Sequence, residues 1–459
     1  MTRSLLAAAA AGLALGTHPL IHGTPHADRL ATANGKAERV SCGAGRDIVV
    51  ADALDRVARD CETVSVRVSV DTTTGPAQHR TEVEPSAAAF GATVVSTFQV
   101  GRFESGGAVA IGFATSRDAG RTWRSGILPG LTVGGGSWTR ASDPVVAYDG
   151  VHRVWLAAAL ALAPTQNGVT INRSADGISW SVATPTIEAA VGLAYDKEWL
   201  ACDNGASSPR RGTCYLLWTD VIKGGIASQA SVDGGQTWST PVAATSTGFG
   251  AQPVVLPDGT LVTVALTDSQ DGLLAVRSMD GGATFSAVQE VSDIRFAQAR
   301  GLRAPPLPSV AVDAAGRIVA AWPDCRFRAQ CATDDIAVAT SLDGVAWSAP
   351  VRAATAEPGT SAVVPGLGAG AAGRFAVTYY VAGAAVTGVR SVSSADGGAT
   401  WTAPLRLESV PMRNAWLAQT EGGLFAGDYI ATAFAAGRPV PVFSLAVAAQ
   451  SQAIFATVR

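Results

Sequence analysis

The chain has 459 residues, of which 47% are hydrophobic and only 15% are charged, and its formal net charge is −3. This charge, without clusters of Lys or Arg alternating with aromatic residues, excludes the basic surface typical of nucleic-acid-binding proteins. The 50 glycines favour many short strands joined by tight turns, and a chain of this length can form one domain by adding repeated units around a ring.

The N-terminal residues 1–27 have the pattern of a secretory signal peptide. Arg3 precedes the apolar run from Leu5 to Leu15, which is too short to span a bilayer comfortably. Cleavage after Ala27, or earlier, fits this pattern, whereas an ordinary first helix is disfavoured because nothing amphipathic follows. We therefore expect a secreted, extracellular protein without a membrane span.

Residues 28–62 are predicted to form a disordered or loosely helical lead segment, with one short amphipathic stretch in RDIVVADALDRVARDC. The six cysteines fall into three local pairs, and the simplest connectivity joins neighbours in sequence: Cys42 with Cys61, Cys202 with Cys214, and Cys325 with Cys331. Disulfides agree with export, and no Cys or His spacing indicates a zinc site.

A repeated motif dominates residues 63–459, which we predict to form a single domain. The motif Ser-x-Asp-x-Gly-x-Thr-Trp follows one apolar stretch and precedes another, the pattern of a hairpin turn. Its Asp can accept backbone N–H bonds, its Gly supplies a positive φ, and its Trp covers the gap between strands. The six copies span residues 116–123, 174–180, 231–238, 278–285, 341–347 and 394–401, the second and fifth being one residue shorter.

The motif resembles the Asp-box of sialidase-like β-propellers, and the resemblance covers roughly residues 64–459. It implies an all-β fold, a β-propeller of four-stranded blades. Each unit begins with a polar or proline-containing step into an apolar strand, a segment that we call an opener. Seven openers accompany the six motif copies, so seven blades are preferred, and six remain the alternative if a weak opener is an insertion. The last unit, residues 427–459, shows only three strands, and the alternating residues 63–70 are predicted to supply its fourth as a closing N-terminal strand.

Strand order assigns the two faces of such a disc. The motif turns, between third and fourth strands, lie on one face, so their aspartates are interpreted as structural. Openers and the ends of second strands share the opposite face, where charged residues converge on the channel mouth. The segments DKEWLACD, WPDCR and FAGDY there resemble exported bacterial Asp-box proteins commonly labelled sialidase-like.

The resemblance to sialidases implies roles for residues at this mouth. Asp143 is the candidate acid/base and Tyr429, or alternatively Tyr195, the nucleophile, with Glu198 or Glu84 beside it. The substrate-binding candidates are Arg102, Arg326, Asp196, Lys197, Asp324 and Asp428, with Arg303 or Arg390 as a third arginine. The Arg-Ile-Pro tripeptide usual in sialidases is absent. For Arg326, an ion pair with Asp334 or Asp335 on the Cys325–Cys331 loop is the structural alternative.

These residues predict a secreted sialidase-like glycoside hydrolase acting on terminal, acidic sugar residues, since Arg binds carboxylates in bidentate geometry. The alternative is a non-catalytic propeller that binds glycan or protein on the same rim. The expected partner is a carbohydrate or glycoconjugate. We expect a monomer without cofactor or metal; calcium at the carboxylate-rich rim is an alternative, although no ligand loop is recognisable.

Overall fold

The computed structural model describes residues 18–190, 194–299 and 301–458, whose regular elements are strands and two short 3₁₀-helices. Most of the predicted signal peptide lies outside the described residues. Residues 18–27 are described and contain the first strand. No helix within the described ranges is long and apolar enough to cross a bilayer.

Six short strands wind through residues 20–67 as two parallel ladders, which we call the N-terminal solenoid. The strands are β1 (Leu20–His22), β2 (Arg29–Ala31), β3 (Arg39–Ser41), β4 (Ile48–Ala51), β5 (Arg56–Val57) and β6 (Thr63–Arg67). One ladder joins β1, β3 and β5, and the other joins β2, β4 and β6. The prediction of a disordered or helical lead is therefore wrong. Strands of two to five residues are too short to show a period in the sequence.

The remaining strands build repeated antiparallel ladders. The first sixteen are β7 (Gln78–Phe90), β8 (Thr93–Arg102), β9 (Ala108–Ser116), β10 (Arg124–Ile127), β11 (Arg140–Asp149), β12 (Val154–Ala163), β13 (Gln166–Ser174), β14 (Thr184–Ala189), β15 (Tyr195–Cys202), β16 (Cys214–Asp220), β17 (Ile226–Ser231), β18 (Val242–Thr245), β19 (Phe249–Val255), β20 (Leu261–Leu266), β21 (Gly272–Ser278) and β22 (Gln289–Asp293).

They are followed by β23 (Leu302–Arg303), β24 (Ser309–Val312), β25 (Ile318–Asp324), β26 (Asp335–Ser341), β27 (Val351–Ala354), β28 (Ser361–Ala369), β29 (Phe375–Ala382), β30 (Val386–Ser394), β31 (Leu405–Arg406), β32 (Met412–Arg413), β33 (Ala418–Thr420), β34 (Gly423–Phe425), β35 (Ala431–Ala435), β36 (Arg438–Ala448) and β37 (Ser451–Val458). The 3₁₀-helices are Ala329–Cys331 and Asn414–Trp416.

The fold is an all-β propeller, but its strands do not divide into the expected seven, or six, separate blades. The described residues form five sheets of four or more strands. Four of these are β15–β18, β19–β22, β24–β27 and β28–β32. The fifth has 14 strands, because the ladders β7–β10, β11–β14 and β35–β37 join one another and the solenoid through pairs such as Ala108 with Ala141 and Thr81 with Gln452.

The first strands of successive ladders contact one another around a central channel, from β7 through β11, β15, β19, β24 and β28 to β35, which contacts β7 again. Closure of the ring joins the two ends of the chain. Strand β6 pairs antiparallel with β37, from Val64 opposite Val458 to Arg67 opposite Phe455. The predicted closing strand is therefore present. All three predicted disulfides are also formed.

The core lies between neighbouring sheets. One cluster packs Leu156 and Val169 of one ladder against Leu216 and Trp218 of the next, and Trp238 from a motif turn covers it. Burial of such large apolar side chains supplies the main favourable free energy of folding. The ladders are thus held by side-chain packing across the gaps as well as by hydrogen bonds within each sheet.

In each of the six motif turns the Asp carboxylate accepts at least one backbone N–H of its own turn, and Asp233 shows the full set of bonds. Its Oδ1 accepts the backbone N–H groups of Gln236 at 2.9 Å and Thr237 at 3.0 Å, and its Oδ2 accepts the Thr237 hydroxyl at 2.6 Å. Gly235 has a φ of 76° and donates to Ser231. Although partial burial opposes ionisation, the bonds from Thr237 and Ser231 lower the pKa of Asp233 to about 2. This carboxylate is therefore structural, as predicted.

Replacing Asp233 with Ala should lower the free energy of unfolding by about 1–2 kcal/mol, because four accepted hydrogen bonds are lost in a largely solvent-exposed turn. Urea unfolding at pH 7 measures the change. Asp258→Ala is the matched control, since its carboxylate accepts one backbone bond, from Thr260 at 2.9 Å. Equal losses in both variants would contradict the structural role given to the motif.

Candidate functional site

Five first strands carry the same irregularity, a β-bulge close to the channel mouth. The register shifts between Val83 and Ser86, Ser142 and Val145, Asp196 and Trp199, Phe249 and Gln252, and Val363 and Gly366. The bulged residues adopt left-handed φ values of 54° at Glu84, 47° at Asp143, 50° at Lys197, 67° at Gly250 and 52° at Val364. A β-bulge changes the direction in which a side chain points, and non-glycine residues with left-handed backbone conformation cluster at functional sites. Three of the five are charged.

Lys197 is the centre of this charged group. Its Nζ lies 2.7 Å from Asp428 Oδ2 and 3.9 Å from both Asp143 Oδ2 and Glu84 Oε1, with only 11% of the side chain exposed. Burial alone would lower the pKa of Lys197, but Asp143, Asp428 and Glu84 raise it above its ordinary value. The ammonium group therefore stays charged and holds carboxylates from three separate parts of the chain together.

Arg303 supplies a second cation. Its Nη2 and Nε bind Asp428 Oδ2 at 2.6 Å and Oδ1 at 3.2 Å, a bidentate pair. Burial favours the protonated form of Asp428, yet Lys197 and Arg303 together lower its pKa. The short strand β23 brings Arg303 here by pairing with β34, whose Phe425 ring lies 5.0 Å from the Arg303 guanidinium and 4.3 Å from that of Arg102.

Glu84 belongs to a buried hydrogen-bond network. Gln99 donates from Nε2 to Glu84 and to Ser142 Oγ at 3.1 Å, and its Oε1 accepts Arg102 Nη1 at 2.7 Å. Burial raises the pKa of Glu84 to about 7, although Lys197 opposes the shift. Glu84 therefore exchanges a proton close to neutral pH, in the range suited to acid/base catalysis.

Asp143 and Asp196 form a carboxyl pair. Both accept the backbone N–H of Lys197, Asp196 at 2.9 Å and Asp143 at 3.3 Å, and Ser142 donates its hydroxyl to Asp143 at 3.0 Å. Burial and then the negative charge of Asp143 raise the pKa of Asp196 to about 7, and a hydrogen bond to Asp143 acts in the same direction. Asp196 therefore gains and loses its proton near neutral pH, beside the carboxyl group of Asp143.

These groups line one cavity of about 910 Å³ at the channel mouth. Its charged lining comprises Glu84, Arg102, Arg140, Asp143, Asp196, Lys197, Arg303 and Asp428. Arg140 donates to Ser105 Oγ and to the Gly106 carbonyl, both at 2.8 Å. Within the described ranges, neither Arg102 nor Arg140 forms an ion pair, so both guanidinium groups retain capacity for an anionic ligand.

Glu198 and Tyr429 lie outside this cavity and line a separate space of about 20 Å³ with Asp143, Lys197 and Trp199. Neither Glu198 oxygen nor the Tyr429 hydroxyl has a hydrogen-bond partner in the described part of the chain. Burial raises the pKa of both groups well above their ordinary values. The space is large enough for a single water that would satisfy these buried groups. The Tyr429 hydroxyl is thus separated from the main cavity.

Other predicted binding residues are placed elsewhere. Arg326 Nη2 pairs with Asp324 Oδ2 at 2.8 Å and with Asp293 Oδ1 at 3.1 Å, and neither Arg326 nor Asp324 lines the cavity. The alternative partners Asp334 and Asp335 do not bind Arg326 in the described structure.

The alternative third arginine, Arg390, and the alternative nucleophile, Tyr195, do not line the cavity either. Arg390 is buried against Glu408 and Glu357. Tyr195 packs its ring 5.7 Å from that of Trp218. No group of three or more His, Cys, Asp or Glu side chains among the described residues is arranged to hold a metal ion.

Sequence reasoning missed Arg140, Gln99 and Phe425, and named Arg303 only as a third arginine. Arg140 stands two residues before the opener that begins at Ser142, so its closeness to that opener is a signal in the sequence. Gln99 lies within a strand and Phe425 in a connection between ladders. No local pattern marks either residue, because their roles arise from contacts with residues distant in sequence.

No protein-family model matches the chain, and no curated protein sequence is similar to it. A polysaccharide lyase, the PL25 ulvan lyase, is similar in structure with a TM-score of 0.50, 10% identity, and coverage of 85% of this chain and 95% of the lyase. The intramolecular trans-sialidase from Ruminococcus gnavus matches with a TM-score of 0.48 at 15% identity, covering 67% of this chain and 92% of the enzyme.

A protein of unknown function from Dyadobacter fermentans matches with a TM-score of 0.47 at 16% identity, covering 72% of this chain and 98% of that protein. At such identities structural similarity concerns the fold alone. These similarities therefore say nothing about a reaction or a ligand, and the functional argument rests on the residues of the cavity.

Replacing Lys197 with Met should lower the free energy of unfolding by about 3–5 kcal/mol at pH 8, because the buried carboxylates lose their central cation. Without this cation the pKa of Glu84 rises further above its unfolded value, and the pKa of Asp428 loses part of its lowering. Both changes disfavour the folded state more as the carboxyl groups ionise, so the destabilisation should grow as pH rises from 5 to 8. Urea unfolding at both pH values measures it.

Lys223→Met is the matched control, since this side chain is 83% exposed and lies 3.6 Å from Asp220. Its effect should stay within about 0.5 kcal/mol at both pH values. A loss for Lys197→Met as small as that of the control would show that the ammonium group does not hold the site together.

Proposed function

We propose that the protein is a secreted, sialidase-like glycoside hydrolase that releases a terminal acidic sugar residue in this cavity. One juxtaposition carries the proposal: the adjacent carboxyl groups of Asp143 and Asp196, the second with a pKa raised to about 7, face the same space as two unpaired guanidinium groups. Enzymes that cleave glycosidic bonds combine such a proton donor with a second carboxylate.

The Asp143–Asp196 pair is the proton donor in this scheme. Asp196 is only half-buried, so its carboxyl group is the more accessible of the two. As the glycosidic C–O bond breaks, the pair protonates the leaving oxygen, and the Lys197 N–H stabilises the carboxylate that remains. Asp143 thus keeps the acid/base role predicted from the sequence, with Asp196 as its partner.

Glu84 is the second carboxylate. Its Oε1 and Asp143 Oδ2 each lie 3.9 Å from Lys197 Nζ, so they are no more than about 8 Å apart. In this scheme a water attacks the anomeric carbon and passes its proton to Glu84. Lys197 and Asp428 hold both groups in position.

Arg102 and Arg140 favour an acidic substrate. Both line the cavity, and the Nε of Arg102 is buried without a hydrogen-bond partner. A carboxylate-bearing sugar would bind the cavity-facing guanidinium N–H groups in charge-assisted hydrogen bonds. Arg303 contributes positive charge, but Asp428 already occupies its bidentate face.

Tyr429 and Glu198 take a supporting role in this proposal. Their small separate cavity lies next to Asp143 and Lys197, where they shape the underside of the site. A tyrosine nucleophile would require the Tyr429 hydroxyl to reach the main cavity.

Two features support the wider assignment. The hydrogen bonds of the motif turns support their classification as Asp-boxes. The three disulfides support function outside the cell, because such bonds persist in oxidising compartments.

The scheme predicts a narrow, bell-shaped pH profile of kcat/KM centred near pH 7. Activity should rise as Glu84 ionises and fall as Asp196 loses its proton, since both groups have pKa values of about 7. A panel of fluorogenic sialosides, uronides and arabinosides identifies the substrate for this measurement.

Glu84→Gln should abolish the acidic limb and Asp196→Asn the alkaline limb, each lowering kcat by about 10²–10⁴-fold, and Asp143→Asn should be similarly inactive. Glu290→Gln and Asp258→Asn alter exposed carboxylates and serve as matched controls. Full activity of folded Glu84→Gln and Asp196→Asn, with unchanged limbs, would exclude this mechanism.

The second candidate function is non-catalytic binding of a glycan or protein on the same rim. It is favoured by the separation of Tyr429 from the main cavity and by the neutralisation of Lys197 and Arg303 by Asp428. In that case the purified protein binds an acidic glycan, Asp143→Asn retains this binding, and no glycoside in the panel is hydrolysed.

A further inference from the structure

A second large cavity lies where the N-terminal solenoid meets the propeller, and we call it the junction groove. It measures about 850 Å³ and is lined by the loop after β4, by strands β5 and β6, and by the motif turn at residues 116–123. Four arginines, Arg56, Arg59, Arg67 and Arg121, contribute to its wall together with Trp123. Nothing in the proposed reaction uses this cavity.

Three of these arginines are free of protein partners. Arg56, Arg59 and Arg121 are exposed, and their guanidinium groups form no ion pair or hydrogen bond in the described part of the chain. Arg67 differs, since its Nε donates to the Ser69 carbonyl at 3.1 Å and its Nη2 lies 3.9 Å from Glu82. The groove therefore presents three cationic groups to solvent.

The two carboxylates in the groove are already engaged by the solenoid. Asp52 accepts the backbone N–H groups of Gly35 at 2.7 Å and Leu54 at 3.0 Å. Asp55 accepts the Thr32 hydroxyl at 2.8 Å and the Asp52 N–H at 3.0 Å. Their oxygens are bonded within the solenoid, and neither carboxylate forms an ion pair with the groove arginines among the described residues.

Trp123 adds an apolar surface among these cations. Its Nε1 donates to the Gly120 carbonyl at 2.8 Å, which fixes the indole ring, and the side chain remains partly exposed. Sugar rings pack their apolar faces on indole rings, while guanidinium groups bind carboxylates and sulfates in bidentate geometry. An indole ring flanked by unpaired arginines combines both requirements.

We propose that the junction groove binds an acidic polysaccharide through Arg56, Arg59, Arg121 and Trp123. The chain as a whole carries a net charge of −3, so the attraction is local to this groove. The site lies on the face opposite the candidate active cavity: the motif turn adjoins the start of β8, where Ser116 pairs with Val94, whereas Arg102 ends the same strand. It would anchor the protein on a polymer independently of catalysis.

Binding of dextran sulfate and polygalacturonate to the full chain tests the proposal, with neutral dextran for comparison. The triple variant Arg56→Gln/Arg59→Gln/Arg121→Gln should raise the Kd for both polyanions by about tenfold or more and weaken its salt dependence. Turnover of a small glycoside, if present, should be unchanged, which separates this site from the proposed active cavity.

The control triple Arg46→Gln/Arg211→Gln/Arg374→Gln removes the same charge from exposed positions outside the groove and should leave the Kd within about twofold. Equal weakening in both triples, or no binding of either polyanion by the natural protein, would overturn the proposal. Tighter binding of duplex DNA or anionic vesicles than of dextran sulfate would overturn the choice of polysaccharide. Should the triple variant not fold, Arg59→Gln/Arg121→Gln gives the same comparison.

Discussion

The buried ammonium group of Lys197 is the interaction on which the candidate site depends. Glu84, Asp143 and Asp428 come from positions far apart in the chain, and the ring geometry brings them to one point. Unpaired carboxylates this close would repel one another and lose their hydration, so one central cation makes the arrangement possible. Arg303 completes the charge balance at Asp428.

Backbone conformation delivers these side chains to the channel mouth. Glu84, Asp143 and Lys197 each occupy the first position of a bulge with positive φ, a conformation that costs free energy for residues other than glycine. The same bulge recurs at Gly250 and Val364, where no charge is present. The propeller thus repeats the same β-bulge around the channel mouth, and the identity of the side chain at each bulge determines whether that part of the mouth can bind, react or only pack.

The local features of the molecule could be predicted from its sequence. The three disulfides join cysteines no more than 19 residues apart, and each motif turn closes its hydrogen bonds within five residues. The opener residues Asp143, Lys197 and Asp428 were also recognised, because their position within a repeat predicts their face of the disc. The N-terminal solenoid was missed, because strands this short show no period and their partners lie a full turn away.

By itself, the sequence determined an all-β chain, the motif turns, the local disulfides and the strand that closes the ring, since these depend on patterns within a few residues or on repetition. Only the tertiary structure decided which arginines serve the cavity. Arg326 is held by Asp324 and Asp293, whereas Arg303 reaches Asp428 because β23 pairs with β34. The tertiary structure also determines that the ladders form five sheets, because hydrogen bonds between neighbouring ladders join segments distant in sequence. For the same reason it places Tyr429 in a small space outside the main cavity, since burial depends on contacts between distant segments.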